Sequence, residues 1–310
     1  MRGLEVLRTG PQALLQDLGR PGLAAIGVGR SGAADRGAYL LGGRLLGHDF
    51  HAALHESLGA ERLDTGPAAL ELLLGGFDAR VHGDFTMAIT GAPAPTTVDG
   101  RRVDGSAPVR LHDGETVRVG TPARGLRTYL SVRGGFEVEQ VLGSRSRDTL
   151  AGLGPQVADG SFLPVGQSRG EALPYVDLAI VAPPPADEIE LEVMPGPRGD
   201  WLADLGRLAT TRWEVSDRSD RVGVRLVGEP LQRRPELVGI ELPTEGVVRG
   251  TVQVPPSGEP VLFLADHPVT GGYPGVGVLT FDSADRAAQA RPGQHIRLTL
   301  VDRPSRDPRG

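Results

Sequence analysis

The sequence predicts a mostly β protein built as two duplicated β domains, of barrel or sandwich type, with a few short helices. Three observations carry that prediction. The chain spreads 45 glycines and 26 prolines over 310 residues with no collagen-like period, a usage suited to many short strands and tight turns. Short β-rich runs recur between clusters of Gly, Pro, Asp and Ser. The opening of the chain is also echoed in its second half: Leu4-Glu5-Val6-Leu7 followed by Asp17-Leu18-Gly19 matches Leu191-Glu192-Val193-Met194 followed by Asp204-Leu205-Gly206 at the same separation. Arg218-Ser219-Asp220-Arg221 repeats Arg30-Ser31 and Asp35-Arg36 at nearly the same offset, so the architecture reads as a duplication. The length exceeds what one core fills, and Pro183-Pro184-Pro185 stiffens a connector, which sets domains at 1–185 and 186–310.

Taken in order, residues 3–9 alternate as a first strand and stop at Gly10-Pro11. The polar stretch Gln16-Asp17-Leu18-Gly19-Arg20-Pro21-Gly22 reads equally as a turn or a functional loop. Over 35–47 the period becomes helical, with Ala38, Leu41, Leu45 and Leu46 on one face, Asp35 as cap and Gly47 as stop. His48, His51 and His55 follow beside Glu56. They fit one helical face but lack a fixed ligand set, so they read as solvated or core histidines and no metal is expected. Strands are predicted over 70–74, 85–90, 109–111, 116–119 and 127–132, with a hairpin signal at His112-Asp113-Gly114-Glu115. Arg133-Gly134-Gly135 and Gly143-Ser144-Arg145-Ser146-Arg147-Asp148 form either an anion cradle or a solvated charged loop. A further strand is expected over 176–182. The second half gives strands over 213–215, 222–227, 247–254, 261–264, 276–281 and 295–301, and a helix over 283–290 capped by Asp282 or Ser283. The tail beyond Asp302 reads as disordered.

Composition removes several kinds of chemistry. No lysine occurs, so this chain cannot supply a P-loop, a Schiff base or a biotin attachment point. No cysteine occurs, which excludes thiol nucleophiles, disulfides and thiolate zinc sites. A net charge of -6 with 4% aromatic residues argues against a nucleic-acid partner. Neither a signal-peptide core nor a membrane span is visible, and the expectation is a soluble, cytoplasmic protein.

Chemistry concentrates in residues 250–280. Asp266, His267, Thr270 and Tyr273 bring an acid, an imidazole, a hydroxyl and a phenol to one turn, while Gly271 and Gly272 let backbone N–H groups approach a ligand. An exposed turn without a ligand fits the same residues. A serine nucleophile elbow does not, because Gly29-Arg30-Ser31-Gly32-Ala33 lacks the G-x-S-x-G spacing.

Six stretches together resemble the family of bacterial 5-oxoprolinase C subunits: Gly10 to Gly22, Val28 to Gly47, Ser131 to Phe136, Gly143 to Gly154, Val252 to Asp266 and Thr270 to Leu279. That family overlaps allophanate hydrolase subunit 2, the biotin-dependent carboxyltransferases, and antagonists of a sporulation-kinase inhibitor. Two departures stand out: Val269 replaces a usual threonine, and Gly29 and Ala34 replace a proline and a methionine. The resemblance implies two cyclophilin-like β-barrel domains, the second carrying the Thr270–Pro274 loop. It further implies a B-like partner in a heterotetramer, a third, A-like subunit, and ATP-dependent opening of 5-oxoproline to glutamate by the complex but not by this chain alone. On that reading Asp266 and His267 are the candidate acid–base pair, with a capping Asp and an exposed His as the alternative. Arg218, Ser219, Arg221 and Arg145 are the candidate anion binders, and Thr270, Gly271, Gly272 and Tyr273 complete the substrate site. The family also admits carboxyl transfer to urea with biotin on a separate carrier, or a non-enzymatic role against a kinase inhibitor.

Overall fold

The computed structural model describes residues 1–50, 65–168, 172–174 and 176–302. His51, His55, Glu56 and the tail beyond Asp302 lie outside them. The chain divides into Met1–Leu23 with Arg30–Pro184, and Ala24–Gly29 with Pro185–Gly310.

The first unit contains β1 (Gly3–Arg8), β2 (Gln12–Gln16), α1 (Arg36–Leu45), β3 (Ala69–Leu73), β4 (Phe77–His82) and β5 (Phe85–Gly91). It continues with β6 (Thr96–Val98), β7 (Arg101–Val103), β8 (Pro108–Leu111), β9 (Thr116–Val119), β10 (Arg127–Val132) and β11 (Phe162–Pro164). Their pairing gives two sheets, ordered β11-β1-β4-β9-β6-β7 and β2-β3-β10-β5-β8. Alternation fixes which side faces in. Leu4 and Val6, Phe77 and Val81 point from the first sheet into one core with Leu15, Leu70, Leu72, Met87 and Leu130 from the second. All six residues of β10 are buried, because α1 covers its other side and Tyr39 and Leu40 pack there with Tyr129. The helix starts as its sequence predicts: Asp35 accepts from the Ala38 amide, and Gly47 follows the C-cap at φ +79°.

The second unit contains β12 (Glu188–Pro195), the single turn α2 (Arg207–Thr210), β13 (Trp213–Val215), β14 (Gly223–Val227), β15 (Glu245–Gly246), β16 (Thr251–Gln253) and β17 (Val261–Phe263). β18 (Thr270–Gly271), β19 (Gly275–Leu279), α3 (Phe281–Ala287) and β20 (His295–Leu300) complete it. Seven strands close a barrel in the order β12-β19-β16-β17-β14-β13-β20, and β12 and β20 run parallel. The interior holds Leu191, Val193, Trp213, Leu226, Leu262 and Ile296. Leu4 and Val6 in β1 and Leu191 and Val193 in β12, the echoed positions, are each buried in their own unit.

Three predicted elements differ. Residues 247–254 do not form one strand: Gly250 takes φ +89°, which turns the chain between β15, paired with β18, and β16. The last helix begins two residues early because Thr280, not Asp282 or Ser283, caps it by accepting from the Ser283 amide. The 176–182 run is not a strand; its Ala179 amide donates to Ser106 O, and Ile180 stays exposed. Alternating apolar residues make a strand only where a neighbour offers a ladder.

Candidate functional site

The predicted acid of the C-terminal loop is spoken for. Asp266 follows β17, and both its oxygens take a fork from Arg221, Nε at 2.9 Å and a terminal nitrogen at 3.1 Å. The Asp266 side chain is 0% exposed and that of Arg221 3%. The Asp266 amide also donates to Arg221 O. So placed, neither side chain faces solvent as a free acid, base or anion binder would. The pair instead clamps the loop after β17 onto the turn before β14. His267 is half-buried, stacked on Phe263, with Nδ1 at 2.7 Å from the carbonyl of Pro268. Ser219 Oγ accepts from the Arg225 amide and so closes a turn. Arg218 is exposed, its amide on Ser216 Oγ. Thr270 and Gly271 sit in the two-residue strand β18 against β15, whose Glu245 is tied to Arg198; that guanidinium holds the Glu245 carboxyl below its usual range. Gln253 Nε2 donates to Tyr273 O, and Gly272 and Tyr273 project as an exposed tip. The structure therefore gathers Thr270 to Tyr273 on one turn of the second unit, whereas Arg145 belongs to the first.

In the first unit the serine- and arginine-rich loop does form a cradle, but the chain fills it itself. The Asp17 carboxylate, without accessible surface, accepts from Gly19 N (2.8 Å), Arg145 N (2.8 Å), Ser144 Oγ (2.6 Å), Ser146 Oγ (2.5 Å) and Thr65 Oγ1 (2.9 Å). Arg20, also buried, donates to Ser146 O and Val141 O. Two stretches more than 120 residues apart thus make one polar knot. The knot pins Arg145 by its amide, and Arg145 Nε donates to Val138 O at 3.1 Å.

Beside the knot lies a cavity of about 440 Å³, lined among others by Arg145, His48, Gly134, Phe136, Gln167 and Ser168. That volume suits a small molecule. The Gly134 amide donates to His48 Nε2 at 3.0 Å, so the neutral ring carries its proton on Nδ1. Gly134 needs its φ of +94°, and a Cβ there would lie 2.2 Å from Gly166 O. Burial, and then the nearby Arg133, pull the His48 pKa down to about 4. The ring is therefore neutral at pH 7. Because unfolded histidine binds its proton near its ordinary pKa and folded His48 does not, acidification from pH 7 to pH 4 removes roughly 3 kcal/mol of stability through this residue. Urea midpoints measured across that range should flatten in His48→Gln.

The sequence offers His48 as a solvated or core histidine or, less readily, a metal ligand, and leaves Asp17 between turn and function. Both acquire their roles from distant partners; the only local hint is the charge and hydroxyl density of the two loops. Among the described residues, no group of three or more His, Asp or Glu could hold a metal ion. No described helix is long and apolar enough to cross a membrane.

The two units are mostly β, one closed as a barrel and the other built of two sheets over a single core, with the cavity beside its polar knot. Residues 26–300 match the carboxyltransferase domain, subdomain A and B, and the chain belongs to that family. It is 29% identical to the 5-oxoprolinase C subunit of Escherichia coli over 95% of this chain and 90% of that one. It is equally identical to urea amidolyase of Saccharomyces cerevisiae, of which it spans 16%. The crystal structure of K. lactis urea amidolyase superimposes with a TM-score of 0.83 at 25% identity, covering 96% of this chain and 19% of that chain.

Proposed function

We propose that this chain is the C subunit of an ATP-dependent 5-oxoprolinase-type hydrolase, acting in the cytoplasm with B-like and A-like subunits to open 5-oxoproline to glutamate. One observation carries the reading: the similarity to a 5-oxoprolinase C subunit runs along nearly the whole of both chains. The two units are, in this reading, the cyclophilin-like domains 1–185 and 186–310. A lactam is a stable amide, so its opening needs an activated carbonyl, and the ATP step supplies that activation. Among its described residues this chain shows no open triphosphate cradle. It has no lysine, the serine-rich cradle is filled by Asp17, and Arg221 is paired with Asp266. Nucleotide is therefore assigned to the partner subunits or to an interface with them. In this reading the exposed Thr270–Tyr273 turn and Arg218 face the partner subunits.

The similarity to urea amidolyase favours a second reading, carboxyl transfer to urea. Biotin would then arrive on another protein, because no lysine here can carry it. The test is reconstitution with B-like and A-like subunits, following glutamate from 5-oxoproline with and without ATP. Glutamate formed only with ATP and every subunit is the expected result. Urea carboxylation with a biotinylated carrier, and no glutamate, would transfer the function to the second reading. Stable association with turnover of neither substrate would remove both and leave the antagonist role.

A further inference from the structure

We infer that the cavity of the first unit is a binding site for a small carboxylate bearing a planar amide, with Arg145 as its carboxylate anchor. The cavity is lined by one guanidinium whose position is fixed twice over. Its backbone amide is locked to Asp17 and its Nε to Val138 O. Among the described residues no protein acceptor meets its two terminal nitrogens, which leaves the parallel pair of donors that a carboxylate accepts. The other lining groups set what surrounds such an anion. Phe136, buried in the core cluster, supplies apolar wall, and Gln167, exposed on the cavity wall, presents a carboxamide whose donor and acceptor complement those of an amide. Ser168 Oγ accepts from Arg133 Nε at 3.1 Å, which leaves its own proton to donate.

The lining charges admit one anion and no more. His48 is neutral above about pH 4 and already accepts from Gly134, so it adds no cation at physiological pH. Asp49 and Glu137 also line the cavity, yet both are exposed, where water and salt screen them. A dianion or a triphosphate would face those two carboxylates with a single anchoring guanidinium. A monocarboxylate is balanced. The amide half of the ligand class rests on the oxoprolinase reading; the carboxylate half rests on the cavity alone.

The test is an NMR titration of the full-length chain with 5-oxoproline, 2-pyrrolidone, which is the same lactam without the carboxylate, and acetate. The expected result is saturable shifts at the Gly134, Gln167 and Ser168 amides with 5-oxoproline. Roughly tenfold or weaker binding is expected for 2-pyrrolidone and for 5-oxoproline on Arg145→Gln, the loss appropriate to a charge-assisted pair. Arg145→Lys, which keeps the charge without the fork, should fall between. Thermal melting of each variant separates lost binding from lost fold. No saturable shift with 5-oxoproline, or equal affinity in folded Arg145→Gln, or shifts confined to the second unit, would overturn the site. Acetate binding that depends on Arg145, beside a reconstituted complex that leaves 5-oxoproline untouched, would keep the carboxylate anchor and discard the oxoprolinase reading on which the amide half depends.

Discussion

Replacing Asp17 with alanine is expected to lower stability by on the order of 3–5 kcal/mol. Five donors depend on that carboxylate. Two backbone amides, Gly19 and Arg145, and three hydroxyls, Ser144, Ser146 and Thr65, donate to it in a site without solvent access. Each buried donor left without an acceptor costs about 1–3 kcal/mol, although the three hydroxyls can rotate toward one another and a water can occupy part of the vacated space. The two amides cannot rotate. Asparagine is the informative control. It keeps one acceptor oxygen but loses the charge and turns an NH₂ toward donors, so Asp17→Asn should lose nearly as much as alanine, whereas a role met by the one remaining acceptor would make it mild. Thermal melts should show a fall on the order of 10 °C for either variant. A shift of only a degree or two would mean that the loops hold together without their carboxylate. The same variants should release Arg145, whose amide is one of the five donors, and weaken 5-oxoproline binding beyond what their stability loss explains.

This knot also marks where sequence reading ends. The fold class is legible because its signals are local: alternation at Leu4 and Val6, the Asp35 cap, the Asp113-Gly114 turn and the scattered glycines each act within a few residues. The two loops rich in charge and hydroxyls are legible as unusual. That Ser144 and Ser146 receive Asp17 and no external anion is not legible, since the two segments meet only when β2 and β10 pair on either side of β3 in one sheet. His48 shows the same limit. Its neighbours in sequence suggest one histidine-lined helical face, but its ring is fixed by Gly134, 86 residues away. Where local signals mislead, as at 176–182, the apolar pattern is present and the partner strand is missing.

At Asp266 a clamp and a catalytic acid predict different outcomes. Asp266→Ala leaves the Arg221 guanidinium buried with its fork partner removed, and breaking one side of a buried pair costs about 3–5 kcal/mol. Arg221→Met alone strands the carboxylate in the same way. Both single variants should therefore unfold early and lose activity in the reconstituted complex. Replacing the pair together, Arg221→Met with Asp266→Leu, removes both charges and fills the volume with apolar atoms, an exchange that is often neutral or stabilising in buried ion pairs. If the pair is a clamp, the double variant recovers both the melting temperature and most of the activity, and the coupling energy of the mutant cycle is several kcal/mol. If Asp266 moves a proton during turnover, the double variant regains its fold and stays inactive. Melting curves and glutamate formation on the same four proteins separate the cases. The bidentate geometry and the absence of accessible surface on the carboxylate favour recovery of both, because a proton can leave or reach Asp266 only after its two bonds to Arg221 have opened.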